Sequence, residues 1–245
     1  MQKSALITGC SKGGIGDALA LEFHERGVRV FSTARNLSKV EHHQALGIEV
    51  LQLDVTDEES IEHVVKEVEK LTGGKLDFLV NNAGIGYTKP LLDADLKVAK
   101  DVFDLNFFSV LAVTQAFAPQ IIAAKGKVIN IGSIVGKMAQ PYYGMLRLRA
   151  LLMIGGRELM SDIGVYNASK AAANLLSETL RLELAPFGVQ VITVITGVIN
   201  TQFFRKQGAV HLPSSKPSLP SPTLHPFTSL PLFSSRSPIW RFDLS

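Results

Sequence analysis

The sequence predicts a doubly wound α/β domain, a parallel sheet with helices on both faces. Two observations carry that expectation. Short runs rich in Val, Ile and Leu alternate along the chain with helical patterns, and runs that are apolar without alternation are strands buried on both faces, as in a parallel sheet. The first run also leads directly into a glycine-rich turn and then a helical pattern, Thr8-Gly9-Cys10-Ser11-Lys12-Gly13-Gly14-Ile15-Gly16. The length of 245 residues fits one such domain with a sizeable core.

Six strands are expected, over residues 5–8, 28–33, 48–53, 78–80, 128–131 and 189–195. Right-handed crossovers then place the intervening helices on both faces. Thr56-Asp57-Glu58-Glu59 reads as a capping box, with the Thr56 hydroxyl accepting from the Glu59 amide and the Glu59 carboxylate reaching back. That helix should run to Thr72 and stop at Gly73-Gly74. A further helix is expected from near Val165 through Leu184, ended by Pro186 and Gly188.

Two stretches break the pattern. Residues 145–164 (MLRLRALLMIGGRELMSDIG) interrupt the approach to the last helix, and periodicity is lost after about Gln207. Seven of the eleven prolines lie from Pro213 onward among serines, a composition that holds neither helix nor strand ladders. The expected organisation is a folded domain over 1–204 with an inserted segment at 145–164, and a disordered Ser/Pro-rich tail over 205–245.

Composition narrows the function. With 46% apolar and 19% charged residues, and no apolar run of about 18, the chain reads as a well-buried globule with no membrane span. The one cysteine, Cys10, forms no internal disulfide, and Met1-Gln2-Lys3 lacks the regions of a signal peptide, so a reducing, cytoplasmic setting is expected. The six histidines show no metal-ligand spacing, and no metal is expected. The net charge of +3 is concentrated in 145–164 and 205–245, and the remainder is slightly acidic, which argues against nucleic-acid binding.

The glycine turn points to a dinucleotide. Its glycines, Gly9, Gly14 and Gly16, let backbone approach a pyrophosphate, while Ser11, Lys12 and Ile15 stand at a helix start whose free amides and dipole favour negative charge. The second strand ends at Ser32-Thr33-Ala34-Arg35-Asn36. An acidic residue would normally bind the ribose 2′-hydroxyl there, and Arg35 stands in its place. With Lys12 it offers two cations to a 2′-phosphate, which favours NADP(H).

These motifs together resemble the short-chain dehydrogenase/reductase superfamily, over about residues 3–204, and the resemblance implies a Rossmann fold. By that resemblance Asp54 contacts the adenine, and Asn82, Ala83 and Gly84 of Asn81-Asn82-Ala83-Gly84 lie against the cofactor. Asn106 holds a water in a proton relay, and Ile199 and Thr201 of Thr196-Gly197-Val198-Ile199-Asn200-Thr201 lie beside the nicotinamide. Ser133, Tyr166 and Lys170 form the catalytic set with Asn106, and Tyr166 and Lys170 also contact the cofactor.

Hydride transfer to a carbonyl leaves an alkoxide that needs a proton. A tyrosine of pKa about 10 exchanges its proton poorly near neutrality, so Lys170, one helical turn after Tyr166, is expected to lower that pKa. Ser133 is expected to bond the carbonyl oxygen and hold it near the Tyr166 hydroxyl. The wider texture is most similar to fungal NADPH-dependent 1-acyldihydroxyacetone phosphate reductases. That implies a lipid ketone as substrate and a peripheral location at the endoplasmic reticulum or lipid droplets, while the superfamily resemblance implies pairing as a homodimer through the helices carrying Asn106 and Tyr166. A steroid- or retinoid-type carbonyl reductase is the alternative within the superfamily. A nucleotide binder without turnover is the alternative outside it, should Ser133 and Tyr166 never meet.

That last alternative matters because Ser133 and Tyr166 are 33 positions apart. Removing the 20 residues 145–164 leaves Pro-Tyr-Tyr-Gly-Val-Tyr-Asn-Ala-Ser-Lys and a spacing of 13, that of the family. The segment reads as a retained in-frame intron, with a lid over the substrate mouth as the alternative. The tail reads as an erroneous or alternatively spliced terminus in place of a seventh strand and substrate-covering helices. The run 189–195 would then be an exposed apolar edge.

Overall fold

A computed structural model describes residues 2–89, 91–137, 164–197 and 199, all within one compact unit, Met1–Val210. Residues 145–163 of the expected insert and the expected tail lie outside the described residues.

The described strands are β1 (Ser4–Ile7), β2 (Arg29–Ala34), β3 (Glu49–Gln52), β4 (Phe78–Asn81), β5 (Lys127–Ser133) and β6 (Gln190–Thr196). They form one six-stranded sheet in the order β3-β2-β1-β4-β5-β6, and every pairing is parallel. Ala5 pairs with Val30 on one side and Phe78 on the other. The strand order therefore reverses between β1 and β4, and a crevice opens beyond their carboxyl ends, where this architecture binds its ligands.

The crossovers are α1 (Ile15–Glu25), the short α2 (Glu41–Gln44), α3 (Glu58–Thr72), α4 (Leu96–Phe103), α5 (Ser109–Ala124) and α6 (Gly164–Leu184). Sheet residues Leu6, Phe31, Leu79 and Val128 pack with Val64 and Val68 of α3, Phe117 of α5 and Leu180 of α6. The apolar spacing 61, 64, 68 on α3 is the inward stripe of an amphipathic helix.

Two sequence expectations change here. The capping box is not formed: Asp57 is the N-cap of α3, and the Thr56 hydroxyl instead donates to Asp54 Oδ1 at 2.7 Å. Thr56 N also donates to Asp54 Oδ1, at 3.0 Å, which closes a tight local turn and leaves Thr56 one residue before the N-cap. The helical run Leu96–Ala124, interrupted by Asn, Ser, Thr and Gln, is long and apolar enough in composition to cross a membrane. Val113, Phe117 and Ile121 of this run enter the core, and 39% of its most apolar stretch is buried. The run expected as an apolar edge is β6, the edge strand among the described residues, with Val191 buried and Ile192 to Thr196 half-buried.

A polar brace ties the helices to the sheet. Asn81 Nδ2 donates to Asn130 Oδ1 at 2.9 Å and to Thr114 Oγ1 at 3.0 Å, and Asn130 Nδ2 donates to Ser177 Oγ at 2.9 Å. Buried amides placed off their partners would each cost about 1–3 kcal/mol, so these bonds fix α5 and α6 on adjacent strands. The brace sets the position of the catalytic helix.

Candidate active site

The crevice is a cleft of about 490 Å³ running from the glycine turn, past the carboxyl ends of β1, β4 and β5, to Tyr166 and Lys170. One hydroxyl organises its centre. Thr8 Oγ1 accepts from the amides of Asn82 at 2.9 Å and Ala83 at 3.0 Å, and donates to the Val80 carbonyl at 3.3 Å. Asn82 Nδ2 returns bonds to the carbonyls of Thr8 at 2.8 Å and Gly9 at 3.0 Å. The two turns therefore lie against each other. Gly9 is needed at this contact, because its φ is +72° and a Cβ would sit 2.9 Å from Ala83 Cα.

The helix start is built for an anion. Gly14 is the N-cap of α1 and provides no side-chain cap, so amides at the start of the helix face the cleft with the dipole behind them. Lys12, Arg35 and Lys39 line the same end, with Asn36 between the last two. Lys12 N donates to the Lys39 carbonyl at 3.1 Å, which holds the glycine turn against the turn after β2. Among the described residues lining the cleft none is acidic. This donor set fits a dinucleotide with a 2′-phosphate better than one with a free 2′-hydroxyl.

At the other end α6 is fastened to β5. Lys170 Nζ donates to the Ile131 carbonyl at 3.1 Å, and Asn174 Nδ2 to the Ser133 carbonyl at 3.3 Å. Tyr166, Lys170 and Asn174 are one turn apart along a single buried face. Ser133 and Tyr166 meet there through a side-chain hydrogen bond, despite the 33 positions between them. Beneath them, Asn106 lies in a π-helical turn, Asp104–Phe108, between α4 and α5. Its Oδ1 accepts from the Ile85 amide at 2.9 Å, and its Nδ2 donates to the Ile85 carbonyl at 2.9 Å and to Ser169 Oγ at 3.0 Å. Ser169 in turn donates to the Tyr166 carbonyl at 2.8 Å. The Asn106 side chain thus positions Tyr166 through Ser169. Gly84 completes the packing, since a Cβ there would lie 3.0 Å from Asn106 Oδ1.

The electrostatics depart from expectation. Burial raises the Tyr166 phenol above its ordinary value of 10.0, with the Ser133 hydrogen bond opposing that shift. Burial also pushes the Lys170 ammonium down from 10.5 to about 8. Lys170 is expected from the sequence to lower Tyr166, but removal from water dominates at both groups. The result is a phenol that keeps its proton through the neutral range and is placed to donate it.

Most of the site residues expected from the sequence line the cleft: Gly9, Ser11, Lys12, Gly14, Ile15, Arg35, Asn82, Ala83, Gly84, Ser133, Tyr166, Lys170 and Ile199. Gly16 does not, and its role is packing: a Cβ there would come within 2.5 Å of Asn82 Nδ2. Asp54 Oδ1 accepts from Thr56, and the neighbours Leu53 and Val55 line the cleft. Thr201 lies outside the described residues. Sequence reasoning missed Thr8, Lys39, Ser169 and Asn174. A cation four positions after Arg35 signals Lys39, and a polar residue four positions after Lys170 signals Asn174.

Comparison with known proteins agrees with this geometry. The family model for short chain dehydrogenases matches residues 3–145 and 154–210. Short-chain dehydrogenase PC-15 of Penicillium crustosum is 44% identical over 205 residues, covering 83% of this chain and 68% of its own length. The NADPH-dependent 1-acyldihydroxyacetone phosphate reductase of Schizosaccharomyces pombe is 38% identical over 241 residues, covering 98% of this chain and 74% of the reductase. Among solved structures, a gluconate 5-dehydrogenase from Burkholderia cenocepacia in complex with NADP and tartrate superposes with a TM-score of 0.69 at 28% identity, over 84% of this chain and 75% of that one. With a glycine turn at a strand-order reversal and a Ser133–Tyr166–Lys170 constellation at its far end, the chain belongs to the short-chain dehydrogenase family of oxidoreductases.

Proposed function

We propose that this chain is an NADP(H)-dependent reductase of a lipid ketone, with 1-acyldihydroxyacetone phosphate as the substrate and lysophosphatidate as the product. The hydrogen bond between Ser133 and Tyr166 carries the reductase reading, because it joins a carbonyl-binding hydroxyl to a neutral, buried proton donor. The cations Lys12, Arg35 and Lys39 support the phosphorylated cofactor. The substrate is supported by the Schizosaccharomyces pombe relative, whose similarity runs through 98% of this chain.

When bound, NADPH supplies a hydride to the carbonyl carbon. Ser133 holds the carbonyl oxygen, and the Tyr166 phenol donates a proton to that oxygen as it gains negative charge, so the ketone becomes a secondary alcohol. Lys170 would hold positive charge beside Tyr166 and toward the ribose of a bound cofactor. Asn106 and Ser169 keep the Tyr166 backbone from drifting. A lipid substrate would bring the enzyme to the membrane surface of the endoplasmic reticulum or lipid droplets.

The test is NADPH oxidation by the purified full chain with 1-acyldihydroxyacetone phosphate, beside a panel of steroid and retinoid ketones. The expected result is turnover with the lipid ketone, abolished in Tyr166→Phe while NADPH binding, followed by fluorescence, persists. Preference for a steroid or retinoid would overturn the substrate. NADPH binding without turnover of any ketone would overturn the reductase reading.

A further inference from the structure

Next to the phosphate end of the cleft, three metal-ligating side chains converge that the reductase chemistry does not use. Asp17, in the first turn of α1, directs Oδ1 at two imidazoles from α2: His42 Nε2 at 2.6 Å and His43 Nε2 at 2.8 Å. All three ligand atoms lie within 4.8 Å of one another. The adjacent histidines match no ligand spacing in the sequence because the third group lies 25 residues upstream.

The surroundings are those of a supported ligand set. Asp17 Oδ2 is held separately by the Gly13 amide at 2.7 Å, which leaves Oδ1 to the imidazoles. His43 is fully buried, and its Nδ1 is 2.7 Å from Ser32 Oγ. A serine hydroxyl suits either state of that ring. It donates to Nδ1 when Nε2–H faces Asp17, and it accepts from Nδ1–H when Nε2 carries a metal, the outer contact typical of a ligating histidine. The His42 side chain is 26% exposed, which gives the cluster an entry path.

The geometry points to a zinc-class divalent transition-metal site formed by Asp17 Oδ1, His42 Nε2 and His43 Nε2, with water as the fourth ligand. Zinc bonds of about 2.0–2.2 Å set tetrahedral ligand atoms roughly 3.3 Å apart, so the present contacts need to open by about 0.5–0.7 Å as the metal displaces the imidazole protons. Two imidazoles and one carboxylate suit zinc over magnesium or calcium, which prefer all-oxygen shells. The metal would fasten α2 to α1 beside Gly13 and Lys39, and so stiffen the phosphate end of the cleft.

The experiment is equilibrium dialysis of the full chain against Zn²⁺, with Co²⁺ as a spectroscopic probe, in wild type, His42→Ala, Ser32→Ala and His24→Ala. The His24→Ala variant removes a histidine outside the cluster and controls for surface binding. NADPH binding in each variant confirms the fold. One zinc per chain is expected in wild type and His24→Ala, with affinity weakened on the order of 100-fold in His42→Ala and roughly 10–100-fold in Ser32→Ala. Zinc should raise the melting temperature of wild type and not of His42→Ala. No stoichiometric zinc in wild type, or wild-type affinity and Co²⁺ spectrum retained in both His42→Ala and Ser32→Ala, would overturn the site and leave a hydrogen-bonded cluster alone.

Discussion

Lys170 Nζ reaches the Ile131 carbonyl at 3.1 Å from a side chain that is almost wholly buried, so one backbone oxygen stands in for most of the water an ammonium would otherwise have. The exchange is unfavourable, and burial draws the folded-state pKa from 10.5 to about 8. Between those values the unfolded chain binds more protons than the folded one. Stability therefore rises with pH from about 8 toward 10.5, and the full cost of about 3 kcal/mol is felt below pH 8. Tyr166, shifted upward, contributes in the opposite sense only above its ordinary value of 10.0. Urea unfolding should show the wild type gaining stability between pH 7 and about pH 9.5, with the gain absent in Lys170→Met. At pH 7 the variant should be the more stable protein, while losing reductase activity. A wild type with flat stability across that window contradicts the assignment.

Thr8→Val tests the centre of the cleft. The substitution keeps the shape and removes the oxygen that accepts from the Asn82 and Ala83 amides. Two half-buried donors lose their partner, which should destabilise the domain by about 2 kcal/mol. NADPH binding should weaken with it, since Gly9 packs on the same turn. A stability change within about 0.5 kcal/mol would show that water satisfies both amides.

The sheet and the glycine turn were legible in the sequence because buried parallel strands are apolar throughout and because few residues other than glycine fit the Gly9 contact. The long-range partners were not. Thr8 reads as an ordinary strand end until β4 brings Asn82 beside it, and Asp17 reads as a helix-start carboxylate until α2 folds back. The capping box failed for a related reason: the Asp54 carboxylate, two residues before Thr56, ties down the Thr56 amide and hydroxyl, and the helix starts after Asp57 instead. The sign of the Tyr166 shift was also hidden, because spacing shows that Lys170 is near and says nothing of how deeply both are buried.

Cofactor choice should rest on Arg35 and Lys39 together. Both line the end of the cleft nearest the glycine turn, and Lys39 is tied to that turn through its carbonyl. A charge-assisted bond to phosphate is worth about 1.5–3 kcal/mol, so Arg35→Ala should weaken NADPH binding on the order of 10–100-fold, and Lys39→Ala should act in the same direction. NADH binding should be nearly unchanged in both, because it lacks the group these cations meet. Equal losses for the two cofactors would place the cations elsewhere on the dinucleotide.

Deleting residues 145–164 separates catalysis from loop length. Ser133 and Tyr166 already share a hydrogen bond, so the long connection is compatible with an assembled site. Shortening it from 32 residues to 12 changes the closure term by roughly 0.9 kcal/mol in favour of the folded state. The local cost lies at Gly164, which opens α6 and packs so closely on Leu91 that a Cβ would lie 2.7 Å from its side chain. With Val165 following Gly144 directly, a glycine precedes the helix again, and that contact can be rebuilt. The deleted chain should keep NADPH affinity within about two-fold, melt slightly higher and retain the Tyr166-dependent turnover. A large rise in KM for the ketone with kcat unchanged would instead identify the segment as part of the substrate pocket.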